Sequence, residues 1–238
     1  MDNILVSIIT VCYNSEKTIE GTIQSVLNQT YSNIEYIIVD GASQDATLDI
    51  VREYEAAFAG RMKLISEPDH GIYDAMNKGI KCARGELVGI INSDDYYEKD
   101  AVEKMVSHMS RDKLQILYGA TRALRDGVED SISIYSHHFL QYRTISHPSC
   151  FVTKKVYDTY GGYDTKYSYV ADYDFMLRMK KELSVEFLPV YEMIANYRVG
   201  GASASGAAYA ELIRLRKDHD IINKWKYYRI KMRSFLGL

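Results

Sequence analysis

An α/β fold, with a mostly parallel sheet and helices on both faces, is what this 238-residue sequence predicts. Three observations predict it. Over the first 113 residues, β-rich apolar runs alternate with stretches whose apolar residues recur at helical spacing, the pattern of a parallel sheet with crossover helices. Two of those runs lead into carboxylates, Asp40 and the cluster Asn92-Ser93-Asp94-Asp95. Open α/β sheets bind ligands beyond the carboxyl ends of their strands. After residue 113 the rhythm breaks into shorter strands, which reads as a mixed half added to the first.

The elements follow in order. Leu5 to Val11 is a continuous apolar run, a buried strand. Ile19, Ile23, Val26 and Leu27 repeat at helical spacing and place an amphipathic helix over Ser15 to Asn28. Ile34 to Val39 is the second strand and ends at Asp40. Leu48, Val51, Tyr54 and Phe58 outline a second helix, with Asp45 at its N-cap position. Met62 to Ile65 is the third strand. Ile72, Ala75, Met76, Gly79, Ile80 and Ala83 mark a third helix, with the tight turn His70-Gly71 before it and Gly85 expected as its cap. Leu87 to Ile91 is the fourth strand, and Val102, Met105, Val106 and Met109 mark a fourth helix. Beyond these, strands are expected at Leu114–Tyr118, Ser131–Tyr135, Ser149–Thr153, Val185–Leu188 and Met193–Tyr197. Helices are expected at Lys154–Tyr160, stopped by Gly161-Gly162, and at Ala171–Glu182. No repeat or low-complexity linker intervenes, so residues 1–220 read as one domain in two halves, about 1–113 and 114–220.

Composition is that of an ordinary soluble globular protein: 47% hydrophobic and 26% charged. A net charge of −3 provides no global field to recruit nucleic acid. The three cysteines, Cys12, Cys82 and Cys150, are far apart, which argues against a zinc knuckle or disulfide scaffold and for a reducing compartment. The start, Met1-Asp2-Asn3, lacks the basic segment of a signal peptide, and no apolar run is long enough to span a bilayer. A cytoplasmic location is therefore expected. From Ile221 to Leu238 there are five basic residues (Lys224, Lys226, Arg229, Lys231, Arg233), no acidic one, and interleaved aromatics including Trp225, Tyr227 and Tyr228. That composition suits either a helix lying on an anionic membrane surface or a solvated helix packed by its aromatics. The 21 tyrosines are unusually many.

The first strand-to-helix turn, Val11-Cys12-Tyr13-Asn14-Ser15-Glu16, carries neither G-x-G-x-x-G nor a Walker A lysine, which argues against a classical dinucleotide site and a P-loop. The Asp94-Asp95 pair instead suits a hard divalent cation, which takes oxygen ligands from one or two carboxylates together with substrate phosphates.

Five ordered stretches resemble family-2 glycosyltransferases of the GT-A fold, over roughly residues 4 to 200. They are Ser7-Ile8-Ile9-Thr10-Val11-Cys12-Tyr13-Asn14; Val39-Asp40-Gly41-Ala42-Ser43-Gln44-Asp45; Asp69 to Gly79; Asn92-Ser93-Asp94-Asp95; and Ala171-Asp172-Tyr173-Asp174-Phe175-Met176-Leu177-Arg178. The wording of Asp69–Gly79 is most similar to enzymes that build bacterial O-antigen and capsule repeat units. The resemblance implies a nucleotide-binding first half, an acceptor-shaping second half, and an inverting transfer from a UDP-sugar, assisted by Mg²⁺ or Mn²⁺, to a glycan on a polyprenyl diphosphate. It implies an enzyme attached peripherally, through residues 221–238, to the inner face of the cell membrane.

Roles for individual residues come with it. Asp40 is expected to accept the imide N–H of uracil, or to cap a helix. Tyr13 is placed to stack on the base or to be a half-buried core residue. Asp69 is expected at the nucleotide. Lys78, on the polar face of its helix, would meet a phosphate or simply be solvated. Asp95 is expected to hold the metal, and Asp94 the ribose or a metal-bound water. Asp172 is expected as the general base, with Asp174 and His147 on the acceptor side; His147 before Pro148 also suits a turn. Gly200 to Ser203 would be a lid or a plain loop. Two positions depart from the family pattern: Asn92 replaces a usual Asp, and Ala171 a usual Glu. Those losses keep a non-catalytic nucleotide-sugar-binding module in play as the alternative. A processive synthase is disfavoured, because the Gln-x-x-Arg-Trp motif and membrane spans are lacking.

Overall fold

The structure is a computed structural model and describes residues 4–200, 205–223 and 225–227. The parallel half runs β1 (Val6–Cys12), α1 (Ile19–Leu27), β2 (Ile34–Asp40), α2 (Thr47–Glu55), β3 (Met62–Ser66), α3 (Ile72–Cys82), β4 (Leu87–Ile90), β5 (Tyr96–Tyr97) and α4 (Ala101–His108). The mixed half adds β6 (Leu114–Arg125), β7 (Val128–Ser133), β8 (Cys150–Thr153), α5 (Lys154–Tyr160), α6 (Ala171–Met179), β9 (Val185–Arg198) and α7 (Gly206–Asp218).

All nine strands join one sheet in the order β3-β2-β1-β4-β8-β6-β9-β5, with β7 paired to β6. β3, β2, β1 and β4 are mutually parallel, while β8 runs antiparallel to both β4 and β6. β1, β2 and β4 are buried along their whole length, as continuous apolar runs covered on both faces must be. Two apolar cores result. One face packs α1, α2 and α4 through Ile19, Ile23, Val51, Val102 and Met105. The other packs α3, α5, α6 and α7 through Met76, Ile80, Val156, Phe175 and Leu215.

Several boundaries move from where sequence reading puts them. The first helix starts at Ile19, because Ser15 to Thr18 form a turn in which the Ser15 carbonyl accepts from the Thr18 and Ile19 amides. Gly85 does not cap α3: the helix ends on Ala83 in extended conformation. What Gly85 provides is close approach, since a Cβ there would lie 2.5 Å from the Ser7 nitrogen and 2.7 Å from the Leu5 oxygen. Gly161 does end α5, with φ 77°. The two strands read near residues 185–197 are one strand, β9, and α7 is an element that the spacing did not reveal.

Of the tail at 221–238, residues 221–223 and 225–227 are described, with Trp225 88% exposed. The rest of the tail, and Gly201 to Ser203 of the expected lid, lie outside the described residues. Among the described residues no helix is long and apolar enough to cross a membrane.

Candidate active site

The parallel register brings three strand ends level: Cys12 pairs with Asp40, and Asp40 with Ser66. β4 ends two residues before Asn92, so the carboxylate cluster opens on the same edge. The loops leaving β1 and β2 are laced together there. The Asn14 amide donates to Ser43 Oγ at 2.8 Å and the Ser15 amide to Thr47 Oγ1 at 2.7 Å, while the Glu16 amide donates to Asp45 Oδ2 at 3.1 Å. Asp45 is not the N-cap of α2, which is Ala46, but stands one residue before it and accepts from the Thr47 amide at 3.0 Å.

Asp40 is fully buried. Its Oδ2 accepts from the Ser43 amide at 3.0 Å and from Ser66 Oγ at 2.8 Å, and its Oδ1 from Ser43 Oγ and, at 3.7 Å, from the Cys12 thiol. Burial, followed by the Asp40 charge, keeps that thiol protonated and donating. Both oxygens of Asp40 therefore already serve the turn, and contact with a base requires one internal donor to give way. Beside it, a Cβ on Gly41 would stand 2.6 Å from Asp69 Oδ2 and 3.4 Å from the Tyr13 ring. Tyr13 and Asp69 thus meet over a bare backbone, and Tyr13, 62% exposed, is no core residue. Asp69 Oδ1 accepts from the Gly71 amide at 2.8 Å, and Gly71 takes φ 112°, which turns the chain into α3. Lys78 is not a free cation. It binds Glu67 at 3.0 Å, the Pro68 carbonyl at 2.9 Å and Asp74 at 3.6 Å.

The neighbours Asp94 and Asp95 part company. Asp95 is 5% exposed and accepts from the Arg198 amide at 3.1 Å. Burial first, and then the Asp94 charge, push its carboxyl well above the usual range. The direct metal ligand expected at Asp95 is thus a buried carboxyl turned toward β9. Asp94 is half-buried and, among the described residues, makes no hydrogen bond or ion pair. Asn92 Oδ1 is buried without a hydrogen-bond partner. An unpaired carboxylate beside an orphaned carboxamide oxygen fits the donor chemistry of Mg²⁺ or Mn²⁺. No group of three His, Cys, Asp or Glu among the described residues could cage an ion by itself, so substrate oxygens would have to complete the shell.

In the second half, Asp172 sits in the first turn of α6, half-buried, and accepts from the Tyr73 hydroxyl at 2.8 Å. His147 lies where both Asp172 and Asp94 act on its ring. Burial holds its pKa below the usual histidine value against those two charges, and its Nε2 is buried with no partner. Asp174, two residues from Asp172, faces elsewhere. It is 2% exposed and is bound by Arg178 Nε at 2.7 Å and His219 Nε2 at 2.8 Å. Arg178 reaches on to the Gly162 carbonyl, 2.6 Å. The acceptor-side role expected of Asp174 is therefore replaced by a structural one: it ties α6 to the end of α7.

Two contributors were not singled out in the sequence. Tyr73 lay inside the Asp69–Gly79 stretch, unremarked among its polar neighbours. Glu211 of α7 accepts from the Ser168 and Tyr169 amides at 3.0 and 2.6 Å and so pins the loop that delivers Asp172. No local motif signals it.

A parallel sheet with carboxylates at its carboxyl edge and a mixed half beside it defines the class: a glycosyltransferase fold of GT-A architecture. The model of glycosyl transferase family 2 matches residues 7–166, and the chain belongs to that family. It is 33% identical over 183 residues to chondroitin synthase of Escherichia coli, a match that covers 74% of this chain but 26% of that one. It is 25% identical over 210 residues to a PGL/p-HBAD biosynthesis glycosyltransferase of Mycobacterium bovis, covering 87% and 82% of the two chains. Among solved structures, S. aureus TarS 1-349 in complex with UDP superposes with a TM-score of 0.69 at 21% identity, over 94% of this chain and 68% of that one. The mannosyltransferase PcManGT of Pyrobaculum calidifontis, in complex with GDP-Man and Mn²⁺, gives 0.67 at 19% identity, over 92% and 65%. At these identities the structural likeness speaks for the fold alone.

Proposed function

We propose that this chain is an inverting, metal-dependent transferase that moves a sugar from a UDP-sugar to a hydroxyl of a glycan acceptor in bacterial surface polysaccharide synthesis. The observation that carries this reading is the set of carboxylates that the fold places at strand ends and a helix start: Asp40 at the end of β2, Asp94 just past the end of β4, and Asp172 in the first turn of α6. On this reading Tyr13 and Asp69 flank the base beside Gly41, and Asp40 holds the turn beneath it. Asp94, rather than Asp95, faces the metal, with Asn92 Oδ1 beside it. A divalent ion bound there would neutralise the leaving diphosphate. Asp172 takes the proton of the acceptor hydroxyl, which attacks the anomeric carbon in line. A single displacement converts an α-linked donor into a β-linkage. An acceptor on a polyprenyl diphosphate, and a tail at 221–238 that rests on the inner membrane face, complete the proposal; the tail's basic and aromatic composition supports that last part.

Thermal shift with UDP tests it. UDP with Mn²⁺ should raise the melting temperature more than UDP with EDTA, since a ligand at ~100 times its dissociation constant stabilises by roughly 2.7 kcal/mol. GDP in place of UDP should shift it less. Equal shifts with Mn²⁺ and EDTA remove the metal from the proposal, and a larger shift with GDP overturns the donor. Loss of Asp at position 92 favours the non-catalytic reading, which release of UDP from any UDP-sugar would exclude.

A further inference from the structure

We propose that Tyr73 is a positioning residue for the general base: its phenol, reaching from the donor half, orients the Asp172 carboxylate and leaves one oxygen free for the acceptor proton. This rests on the reading of Asp172 as the base. The hydroxyl donates to Asp172 Oδ1 at 2.8 Å, and among the described residues Oδ2 makes no hydrogen bond. Tyr73 is 8% exposed, and its ring packs on Tyr163 with centroids 5.4 Å apart, so the phenol has little freedom to leave. Burial, then the Asp172 charge, hold the hydroxyl protonated far above its ordinary range, so it keeps the proton that it donates to Asp172.

The surroundings explain how the contact is held. Tyr73 lies in the first turn of α3, two residues after Gly71 and four beyond Asp69. Asn77, one turn further on, donates from Nδ2 to the Tyr163 carbonyl and accepts the Tyr163 amide on Oδ1, both at 2.9 Å. A Cβ on Gly162 would stand 2.2 Å from that Oδ1, so a glycine is needed beside the clasp. Gly79 of the same helix packs against Ile9 of β1. One helix therefore turns out of the donor-side loop, seats on the parallel sheet, grips the loop before α6, and touches the base.

The test uses the full chain with Mn²⁺ and UDP-GlcNAc as probe donor, following UDP release to water or to a soluble β-GlcNAc glycoside. Tyr73→Phe keeps the ring and removes only the hydroxyl. It should lower kcat by about tenfold, the worth of one hydrogen bond to a charged group, and leave KM for UDP-GlcNAc within about twofold. In an Asp172→Asn background the same exchange should cost nothing more. An equal loss in both backgrounds overturns the proposal. If Tyr73→Phe is harmless while Asp172→Asn is inactive, the base reading stands and this proposal alone falls. If Asp172→Asn turns over normally, the base reading fails and the positioning role fails with it. A readout without turnover is the carboxyl ¹³C spectrum of aspartate-labelled protein. The resonance absent from Asp172→Asn should move in Tyr73→Phe at neutral pH, and an unmoved resonance also overturns the proposal.

Discussion

Exchange of Asp94 and exchange of Asp95 should give different proteins. Asp94→Ala should abolish the extra stabilisation that Mn²⁺ gives to UDP binding and leave the unliganded melting temperature almost unchanged, because nothing among the described residues leans on that carboxylate. Asp95→Ala should lower the unliganded melting temperature itself, since it removes the part-buried hydrogen bond from the Arg198 amide, at a cost of roughly 0.5–1.5 kcal/mol. Differential scanning fluorimetry with and without UDP–Mn²⁺ separates the two, and a reversed pattern would return the metal to Asp95. A second pair is Asp172→Asn and Asp174→Asn. The first should cut turnover by roughly 10²-fold or more at unchanged UDP–Mn²⁺ affinity. The second should act through stability, by breaking the contacts to Arg178 and His219. Collapse of turnover in Asp174→Asn, with near-normal Asp172→Asn, would exchange their roles. The sequence shows both pairs as adjacent carboxylates but not which member faces the cleft. Asp94 and Asp95 lie past the last paired residue of β4, where alternation no longer sets direction. Asp172 and Asp174 differ only through what α7 brings to them. Tyrosine abundance also resolves at this scale: Tyr36, Tyr73, Tyr167 and Tyr173 are buried with their hydroxyls bonded to Thr10, Asp172, Asp218 and the Leu140 carbonyl.

At the scale of elements, α3 is the best-read part of the chain, because six apolar positions repeat without interruption. Its Gly79 supplies a test of packing. A Cβ there would come 2.5 Å from Ile9 Cγ2, so Gly79→Ala must displace a β-branched side chain of a central strand. Overpacking costs about 1–3 kcal/mol, against a gain of at most ~1 kcal/mol in helix propensity. The urea midpoint should therefore fall, and a rise would show that α3 can move outward freely. The junction of α6 and α7 supplies a test of charge. Burial alone would raise Asp174; the hydrogen bonds and charges of His219 and Arg178 outweigh it and hold the carboxyl below its ordinary value. A depressed carboxyl stabilises the fold above the unfolded pKa of about 3.9 and loses that contribution as pH falls through the folded value. The gap in melting temperature between wild type and Asp174→Asn should thus be full near neutrality and close below about pH 4; a constant gap would refute the ionic contribution. The later elements were less legible for definite reasons. β5 has two residues, too few to show a period. β9 contains Pro189, and its pairing to β6 shifts register between Tyr118 and Ala120, so one strand reads as two. In α7 the charged residues Glu211, Arg214, Arg216 and Lys217 are set among Leu212, Ile213 and Leu215, which blurs the apolar stripe.

For the molecule as a whole, the alternation of runs and helices over the first 113 residues was enough to fix the parallel half, and the five ordered stretches to fix the family. What remained hidden was how the second half attaches, since strand neighbours distant in sequence leave no local mark. The tail gives a prediction at this scale. Full-length protein should sediment with vesicles containing phosphatidylserine and a 1–220 truncation should not, each basic residue near the surface adding on the order of 1 kcal/mol. The difference should shrink as salt rises. Equal sedimentation of the two would reduce the tail to a packing role.

The sheet order has a consequence for anyone who would exchange halves between relatives. β8, contributed by residues 150–153, is wedged between β4 and β6 and is antiparallel to both. A chimera cut at residue 113 sets β4 against a foreign β8, and a poor fit there leaves an apolar strand with an open row of backbone donors and acceptors, the sort of margin that recruits other chains. Shuffling donor and acceptor specificities should therefore succeed only with grafts that carry β8 alongside β4, and the crossover point for recombination is set by spatial adjacency rather than by chain position.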